Sequence, residues 1–497
     1  MKVYMLNPPY FPRFGREMRW QDTGRGGTLY YPIWLSYATG LLESLGHNVR
    51  LVDCPAWNWK IEDVLKDIEK FDPELVVVET SFTSLKNDLE VVRRIKSMEF
   101  QVAVVGPPVS QFSEEILNHA DFAARYEFDF TIADLCEKLE KNGKLEDVLG
   151  ISFKIDGRIV HNPDRPFSTS EQLNMLPFVS EVYKRHLNIR DYFLNYSLYP
   201  MVQIFTGRGC PNSCTFCSWP QTFTGRKYRV RSVENLLEEL EFVENEIKKV
   251  KEVFFEDDTF TISKKRVLEF CKGYREGKLE ISWSCNARVD TLDLETMREM
   301  RRANCRFLVV GFESADDGIL RNIKKGFTVE RAREFAREVK KAGLFLHADF
   351  IIGLPGETKE TIEKTKRFIK EIKPEQLQIS VVTPFPGTEL YDWLNKNGYL
   401  ITNDPNEYLD EQGHQKSIVS YPWLSADEIV KAVDDILKEY YLSLSYIPVA
   451  LRQIFRKRGM DEAKRLFRSA TLFMRYISRR ERFAKQISKT MEKSDCL

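Results

Sequence analysis

The sequence lacks any run of about 18 uncharged apolar residues, so it predicts no helix that spans a membrane. It lacks the apolar stretch of a secretory signal peptide, because its first residues, MKVYMLNPPY, have the pattern of a strand and a turn. Its nine cysteines lack the even spacing of a disulfide framework. We therefore expect a cytoplasmic protein rather than an integral membrane protein or a secreted, disulfide-rich one.

The sequence also lacks an excess of either charge. Lys and Arg total 74, as do Asp and Glu, which argues against an overall affinity for nucleic acid. The balance is uneven, because the segment from Leu451 to the last residue holds fourteen basic residues against five acidic ones. With 43% hydrophobic and 12% aromatic residues, the 497-residue chain can build the cores of two or three domains.

Short apolar strands alternate with amphipathic helices over residues 1–145. The expected strands are Lys2–Leu6, Val49–Asp53, Leu75–Thr80, Gln101–Val105 and Phe122–Arg125, and the expected helices lie near Ile33–Leu45, Ile61–Lys70, Leu85–Lys96 and Ser113–Leu117. This alternation predicts a doubly wound α/β domain with a parallel sheet and ligands at the carboxyl ends of its strands. Residues 146–198 are expected to form a hairpin, Ile151–Ile155 and Arg158–His161 around Asp156-Gly157, and a linker.

A second alternation occupies residues 199–390. Its expected strands are Val202–Phe205, Glu252–Phe255, Ile281–Ser284, Phe307–Val310, Leu346–Ile352 and Leu377–Val382. Six strand–helix units predict a partial (β/α)6 barrel, short of the eight units of a closed one. Ser263 and Thr328 are expected helix N-caps and Gly343 a helix stop. Residues 391–497 are expected to form a helical extension that is basic from about residue 451.

The strongest chemical signal is the segment Gly207-Arg-Gly-Cys210-Pro-Asn-Ser-Cys214-Thr-Phe-Cys217, directly after the first strand of the second sheet. Three thiolates within eight residues favour an iron–sulfur cluster that leaves one of four irons open. A structural zinc site is the first alternative, but it needs four ligands, and the nearest other candidates are His186 and Cys271. Ordinary buried cysteines are the second alternative.

The spacing Cys-x3-Cys-x-aromatic-Cys, with Phe216 as the aromatic residue, resembles the signature of the radical S-adenosylmethionine superfamily. The resemblance implies a [4Fe–4S] cluster on Cys210, Cys214 and Cys217, whose open iron binds the amino and carboxylate groups of S-adenosylmethionine. It further implies cleavage of that cofactor to a 5′-deoxyadenosyl radical, and a reductant such as ferredoxin or flavodoxin.

Later strand ends resemble the cofactor-binding motifs of the same family. Asp257 and Asp258 are expected near the ammonium group, and Gly311-Phe-Glu313-Ser314 near the ribose and carboxylate. The segment from Gly353 to Gly356 is expected beside the adenine. The expected cofactor contacts are therefore Phe216, Asp257, Asp258, Arg288, Glu313, Ser314, Gly353 and Gly356. A solvated acidic loop, a plain turn and a surface arginine are the alternatives. For His347 and Asp349 we expect a core hydrogen bond.

The first domain is similar to the cobalamin-binding domain of one branch of this superfamily. The matching segments are Asn7-Pro8-Pro9, Tyr31-Pro32, Gly46-His47 to Asp53, Thr80–Leu85 and Gly106–Pro108. The Asp-x-His-x-x-Gly motif is absent, so cobalamin would lack a protein histidine on cobalt, and His47 and His119 are expected at the surface. A sheet that holds no corrinoid is the alternative.

The chain resembles in particular the hopanoid-biosynthesis-associated radical S-adenosylmethionine proteins. The matching segments are 126–132, 177–185, 206–210, 219–222, 227–229, 283–287, 322–326 and 354–361. This resemblance implies modification of a lipid-linked polyol or sugar head group. Alternatives are a cobalamin-dependent C-methyltransferase and a corrinoid sensor without catalysis. An RNA-modifying methylthiotransferase is disfavoured, because the first domain offers only Cys54 and Cys136 for a second cluster.

Apolar and basic residues alternate along the tail. The apolar ones are Ile454, Phe455, Leu466, Phe467, Leu472, Phe473, Met474 and Ile477, and the basic ones are Arg456, Lys457, Arg458, Arg465, Arg468, Arg475, Arg479 and Arg480. Such a helix can lie on anionic lipid at the inner membrane surface, where each cation contributes about 1 kcal/mol. A helix packed on the barrel with a solvated basic face is the alternative.

Overall fold

A computed structural model describes residues 1–494 except Met18, Trp20 and Lys457, and it describes no side chain from Arg479 onward. Three of the expected basic tail residues, Lys457, Arg479 and Arg480, therefore lie outside the described residues or side chains.

The first sheet has seven strands in the order β2-β1-β3-β4-β5-β6-β7. The strands are β1 (Lys2–Asn7), β2 (Asn48–Asp53), β3 (Leu75–Glu79), β4 (Val102–Val105), β5 (Phe122–Ala124), β6 (Ile151–Ile155) and β7 (Arg158–His161). The helices between them are α1 (Ile33–Ser44), α2 (Cys54–Trp57), α3 (Ile61–Phe71), α4 (Leu85–Lys96), α5 (Val109–Ile116) and α6 (Asp129–Glu140). The first five strands are parallel, as expected.

Side chains alternate across this sheet, so each strand supplies two cores. Val3 and Met5 face the core that contains α1 and α6, whereas Tyr4 and Leu6 face the core that contains α3 and α4. Helices on both faces confirm the doubly wound prediction. The core on the α1 side continues into the second domain, so the two domains share one apolar interior.

Two features of this region differ from the expectation. The hairpin β6–β7 is not part of a linker, because β6 pairs antiparallel with β5 and extends the first sheet. The helix α6 was not predicted at all, although it packs against α1. The division of the chain at residue 145 stays a prediction. Two helices, α7 (Ser170–Met175) and α8 (Val179–His186), then lead to the second sheet.

The second sheet has six parallel strands in the order β15-β14-β13-β12-β11-β8. The six strands are β8 (Met201–Ile204), β11 (Glu252–Phe255), β12 (Ser282–Ala287), β13 (Cys305–Glu313), β14 (Phe345–Ile352) and β15 (Gln376–Val381). A separate two-stranded antiparallel ribbon is formed by β9 (Gly207–Arg208) and β10 (Arg229–Val230). The helices are α9 (Val233–Glu246), α10 (Lys264–Glu276), α11 (Leu294–Arg302), α12 (Asp317–Asn322), α13 (Val329–Ala342) and α14 (Lys359–Ile372). The partial (β/α)6 barrel is confirmed.

The expected helix boundaries of the barrel are also found. Ser263 accepts a hydrogen bond from the Arg266 amide and Thr328 from the Arg331 amide, so both are N-caps. Gly343 ends α13 with a φ of +78°, in the left-handed region.

Four further helices follow, α15 (Glu389–Lys396), α16 (Ala426–Tyr441), α17 (Ile447–Ile454) and α18 (Gly459–Ser494). Arg465 of α18 is fully buried, and it pairs with Glu462 at 2.9 Å. Glu462 also pairs at 2.8 Å with Arg306 of β13, which in turn pairs with Glu252 of β11. The first part of α18 is therefore docked on the barrel. None of the described helices combines the length and the apolar character needed to cross a membrane.

The buried Arg465 yields a first prediction. Replacing it with Ala leaves the buried Glu462 with one cationic partner fewer, which should cost about 3 kcal/mol. We expect Arg465→Ala to lower the melting temperature and to accelerate tryptic cleavage within α18. Arg475→Ala, which removes an exposed arginine of the same helix, is the control. Equal melting and cleavage of the two variants would show that α18 is not held by this network.

Candidate active site

A cavity of about 630 Å³ is lined by side chains of the barrel strands β12, β13, β14 and β15. One end lies at the carboxyl ends of the barrel strands and is lined by Cys210, Cys214 and Cys217. The other end is lined by α16, α17 and α18. The structure therefore places the three cysteines at one end of a common chamber.

The loop that carries the cysteines is fixed at its base. Gly209 has a φ of +85°, and a Cβ atom there would lie 2.3 Å from the carbonyl oxygen of Lys227, so only glycine fits. Asp257 accepts hydrogen bonds from the amide and hydroxyl of Thr206, each at 2.6 Å, and from the hydroxyl of Tyr228 at 2.8 Å. These bonds hold the strand end that precedes the cysteine loop.

Two of the thiols receive hydrogen bonds from cavity residues. Asn212 donates to Cys210 Sγ at 3.2 Å, and Arg288 donates to Cys214 Sγ at 3.5 Å. In the part of the chain that the structure describes, no three His, Cys, Asp or Glu side chains are grouped closely enough to hold one metal ion. Thiolates on one tetrahedral zinc would lie roughly 3.8 Å apart. Three thiols on one short loop are a donor set that fits an iron–sulfur cluster, in which each thiolate would bind a different iron.

Four of the eight expected cofactor contacts line the cavity together with the cysteines: Phe216, Asp258, Arg288 and Glu313. Asp258 accepts hydrogen bonds from Arg19 and Thr224, each at 3.2 Å. The carboxylate of Glu313 pairs with Lys325 Nζ at 2.6 Å. Charged groups of both signs thus surround this end of the cavity. Their contact with the cofactor stays a prediction.

The other four expected contacts, Asp257, Ser314, Gly353 and Gly356, are not part of the cavity wall. Asp257 is occupied by the bonds to Thr206 and Tyr228. Ser314 accepts a hydrogen bond from the Asp316 amide. Gly353 and Gly356 have φ values of +98° and +95°, so they are required for a turn. In this structure these four residues support the loops, and their contact with the cofactor stays a prediction.

Several cavity residues were not expected from the sequence. Arg19, from the loop after β1, reaches across to Glu256 at 3.1 Å and to Asp258. Lys325, Asn286 and Tyr30 also line the cavity. Asn286 lies in a segment that carried the family resemblance, but Arg19 and Tyr30 lie in an irregular loop that gives no local signal.

His347 Nε2 lies 2.8 Å from Asp349 Oδ1, but both residues line the cavity rather than lying wholly in the core, and the expected hydrogen bond between them stays a prediction. His347 is buried, and its Nδ1 atom has no hydrogen-bond partner. The ring of Tyr196 lies edge-on to it at 4.9 Å. The structure therefore places the Asp349 carboxylate in the cavity wall, beside a buried imidazole.

The carboxyl ends of the first sheet form a second polar region. Arg16, Glu17 and Gln21 lie over it, and Arg16 pairs there with Asp88 at 2.6 Å, both fully buried. Trp34 Nε1 is buried there without a hydrogen-bond partner, and the carboxyl of Glu79, at the end of β3, lies against that of Glu17, where burial raises the pKa of both. Buried polar atoms of this kind fit a crevice that takes a further polar ligand, such as the expected cobalamin.

His47 and His119, the two histidines noted in the first domain, lie away from the carboxyl ends of its strands. His47 lies 3.3 Å from the amino group of Met1, at the opposite end of the sheet. His119 is exposed in the connection after α5. The loops Thr80–Leu85 and Gly106–Pro108 are buried and do not line the large cavity.

Comparison with known proteins assigns both domains. Residues 204–369 match the model of the radical SAM superfamily, and residues 23–135 match that of the B12 binding domain. The chain is a radical S-adenosylmethionine enzyme with a B12-binding domain. The family resemblance is thereby confirmed, and so are the cofactors that it implied, a [4Fe–4S] cluster, S-adenosylmethionine and cobalamin.

Three similar proteins illustrate this assignment. An uncharacterised methyltransferase of Pyrococcus horikoshii is 29% identical over 475 residues, which cover 92% of this chain and 96% of the relative. Hopanoid C-3 methylase of Methylococcus capsulatus is 28% identical over 75% of this chain and 70% of its own. The structure of the radical S-adenosylmethionine methyltransferase TsrM from Kitasatospora setae shares the fold, with a TM-score of 0.71 and 15% identity over 95% of this chain and 99% of its own.

The turn that contains Gly353 and Gly356 yields a prediction on pH. Glu357 is fully buried beside this turn, accepts a hydrogen bond from the hydroxyl of Thr361, and burial raises its pKa to about 7 from an ordinary 4.5. The folded state thus favours the protonated carboxyl. The contribution of Glu357 to the free energy of unfolding, at most about 3 kcal/mol, is complete below pH 4.5 and is lost as the pH rises through 7.

We therefore expect Glu357→Gln to remove part of the fall in melting temperature that the unsubstituted enzyme shows between pH 5 and pH 8. The neighbouring Glu360→Gln changes an exposed carboxylate of the next helix and should leave that fall unchanged. Parallel melting curves for all three proteins across this range would contradict the expectation.

Proposed function

We propose that the enzyme is a cobalamin-dependent radical S-adenosylmethionine methyltransferase that acts on a carbon atom of an extended, largely apolar substrate. The observation that carries the proposal is the cavity with the three cysteines at one end and an apolar wall at the other. The names of the relatives support methyl transfer, since the Pyrococcus protein and TsrM are described as methyltransferases and the Methylococcus protein as a methylase.

The two ends of the cavity suit different parts of the ligands. The cysteine end carries Asp258, Arg288, Glu313 and Lys325, which can bind charged groups of S-adenosylmethionine. The far end is made by apolar side chains of the C-terminal helices: Leu437, Tyr441, Ala450, Ile454, Leu466 and Phe473. An apolar substrate body is stabilised there by burial, and it extends towards the cysteine end.

The cofactors, when bound, supply an electron, a 5′-deoxyadenosyl radical and a methyl group. The protein contributes position and exclusion of water. Arg288 and Lys325 face the cysteine loop and favour negative charge there. The helices α16, α17 and α18 supply part of the cavity wall, which limits the access of water there.

Asp349 is placed to orient a substrate with a polar group. Its side chain is 17% exposed and lines the cavity, and one of its carboxylate oxygens lies 2.8 Å from His347 Nε2. A hydroxyl or amine of the substrate could donate to the other oxygen. We assign Asp349 a positioning role for this reason.

Sequence resemblance and the apolar wall both support a lipid as the substrate class. A lipid, such as a hopanoid, fits both. Modification of a polyol head group without methyl transfer, our first expectation from the sequence, has less support than methylation because the similar proteins are methyltransferases. A radical S-adenosylmethionine enzyme needs a reductant, and we propose ferredoxin or flavodoxin for this role.

The products of the two cofactor reactions test the proposal. Anaerobically reconstituted enzyme with cobalamin, reductant and hopanoid extract should form S-adenosylhomocysteine together with 5′-deoxyadenosine, measured by liquid chromatography and mass spectrometry. Single replacements Cys210→Ala, Cys214→Ala and Cys217→Ala should lower 5′-deoxyadenosine formation at least 100-fold, since each removes a cluster ligand.

Cys271→Ala is the matched control, because Cys271 is also buried but lies in α10, away from the cavity. It should retain cluster absorbance and activity. Formation of 5′-deoxyadenosine without any S-adenosylhomocysteine during turnover would refute methyl transfer while leaving radical chemistry intact.

A further inference from the structure

Exposed apolar side chains are concentrated in one short part of the chain. Of the fourteen large hydrophobic residues that the described structure exposes, eight fall within residues 442–474. They are Leu442, Leu444, Ile447, Leu451, Phe455, Met460, Phe467 and Met474. Contiguous exposed apolar patches are rare on monomeric soluble proteins and mark a surface that contacts another apolar phase or partner.

These residues lie on consistent helix faces. Ile447 and Leu451 of α17 and its C-cap residue Phe455 are four residues apart, and on α18, Met460, Phe467 and Met474 are seven apart. Both spacings place side chains on one face of a helix. The two helices pack against each other, and α18 turns other residues, such as Arg465 and Ile477, towards the protein. We call the outward faces of α17 and α18 the apolar ridge.

The apolar ridge is continuous with the active-site cavity. Leu442, Phe467 and Met474 are 56%, 77% and 50% exposed, and the same three residues line the cavity. Residues that are both on the surface and in the wall mark the mouth of a chamber. The ridge therefore borders the opening at the end of the cavity away from the cysteines.

Basic residues outnumber acidic ones around the ridge. Residues 442–478 contain eight Lys and Arg against only Asp461 and Glu462. Glu462 is buried between Arg306 and Arg465, and Asp461 lies 3.7 Å from Lys251. Lys464 and Arg475 are exposed beside the apolar residues of α18. The ridge thus combines apolar side chains with cations, which suits anionic phospholipid headgroups above an acyl layer.

We propose that the apolar ridge docks the enzyme on an anionic membrane surface and places the mouth of the cavity against the lipid, from which an apolar substrate enters. The second part of this inference rests on the proposed function. A second copy of the chain fits the ridge less well, because a two-fold interface would bring the same basic surface against itself.

Vesicle flotation tests the docking directly. Full-length enzyme should float with vesicles of phosphatidylglycerol and phosphatidylcholine, and at least tenfold less with phosphatidylcholine alone. The variant Ile447→Ser, Leu451→Ser, Phe455→Ser removes exposed α17 side chains that do not line the cavity, and it should lower the bound fraction at least tenfold. The control Leu45→Ser, Met175→Ser, Ile401→Ser removes three similarly exposed side chains elsewhere and should bind as the unsubstituted enzyme does.

Three results would overturn the docking surface: no binding of the unsubstituted enzyme to anionic vesicles, equal binding of the α17 variant, or a dimer in light scattering that the α17 variant dissociates. If the triple variant does not fold, as judged by its melting curve, Phe455→Ser alone serves the same comparison. Formation of 5′-deoxyadenosine without vesicles is measured in parallel. It reports on the proposed function separately, and the α17 variant should retain it.

Discussion

Buried charge pairs hold the cysteine loop between the two domains. Arg208, two residues before Cys210, pairs with Asp129 of α6 at 2.6 Å, and its guanidinium lies 4.2 Å from the ring of Trp34 in α1. Arg229, on the partner strand of the ribbon, pairs with Glu127 at 2.8 Å. Such pairs contribute little net stability, but each partner is costly to leave unpaired. The cysteines can therefore take this position only when the first sheet and the barrel are both folded and docked.

The same constraint explains which parts of the molecule could be predicted from sequence. The strands could be predicted, because parallel strands that are buried on both faces are short apolar runs. The helices between them could be predicted from their clear amphipathic patterns. The place of the hairpin β6–β7 could not, because sheet membership depends on a pairing with β5 that no local pattern encodes. The cysteine motif could be found because all three ligands lie within eight residues.

Site residues outside that motif were harder to predict. Asp257 and Asp258 are adjacent and chemically identical, yet one supports the loop base and the other faces the cavity. A motif resemblance cannot separate them, because the choice depends on where Thr206 and Tyr228 lie. Arg19 is 239 residues from Asp258 in the chain, and it lies in a segment without regular structure. Its role follows only from the docking of the two domains.

The C-terminal helices show why an amphipathic pattern leaves two interpretations open. Apolar residues spaced along a basic helix can face protein or lipid, and the sequence does not distinguish the two. In the structure the two are separated by position, since Arg465 and Ile477 face the protein while Phe467 and Met474 stay exposed. A six-stranded barrel must leave an open edge, because β8 and β15 do not pair with each other. The C-terminal helices line the cavity together with β15, and Leu442, Phe467 and Met474 of this region are both exposed and part of the cavity wall. The same short part of the chain therefore limits the chamber and forms the surface around its opening.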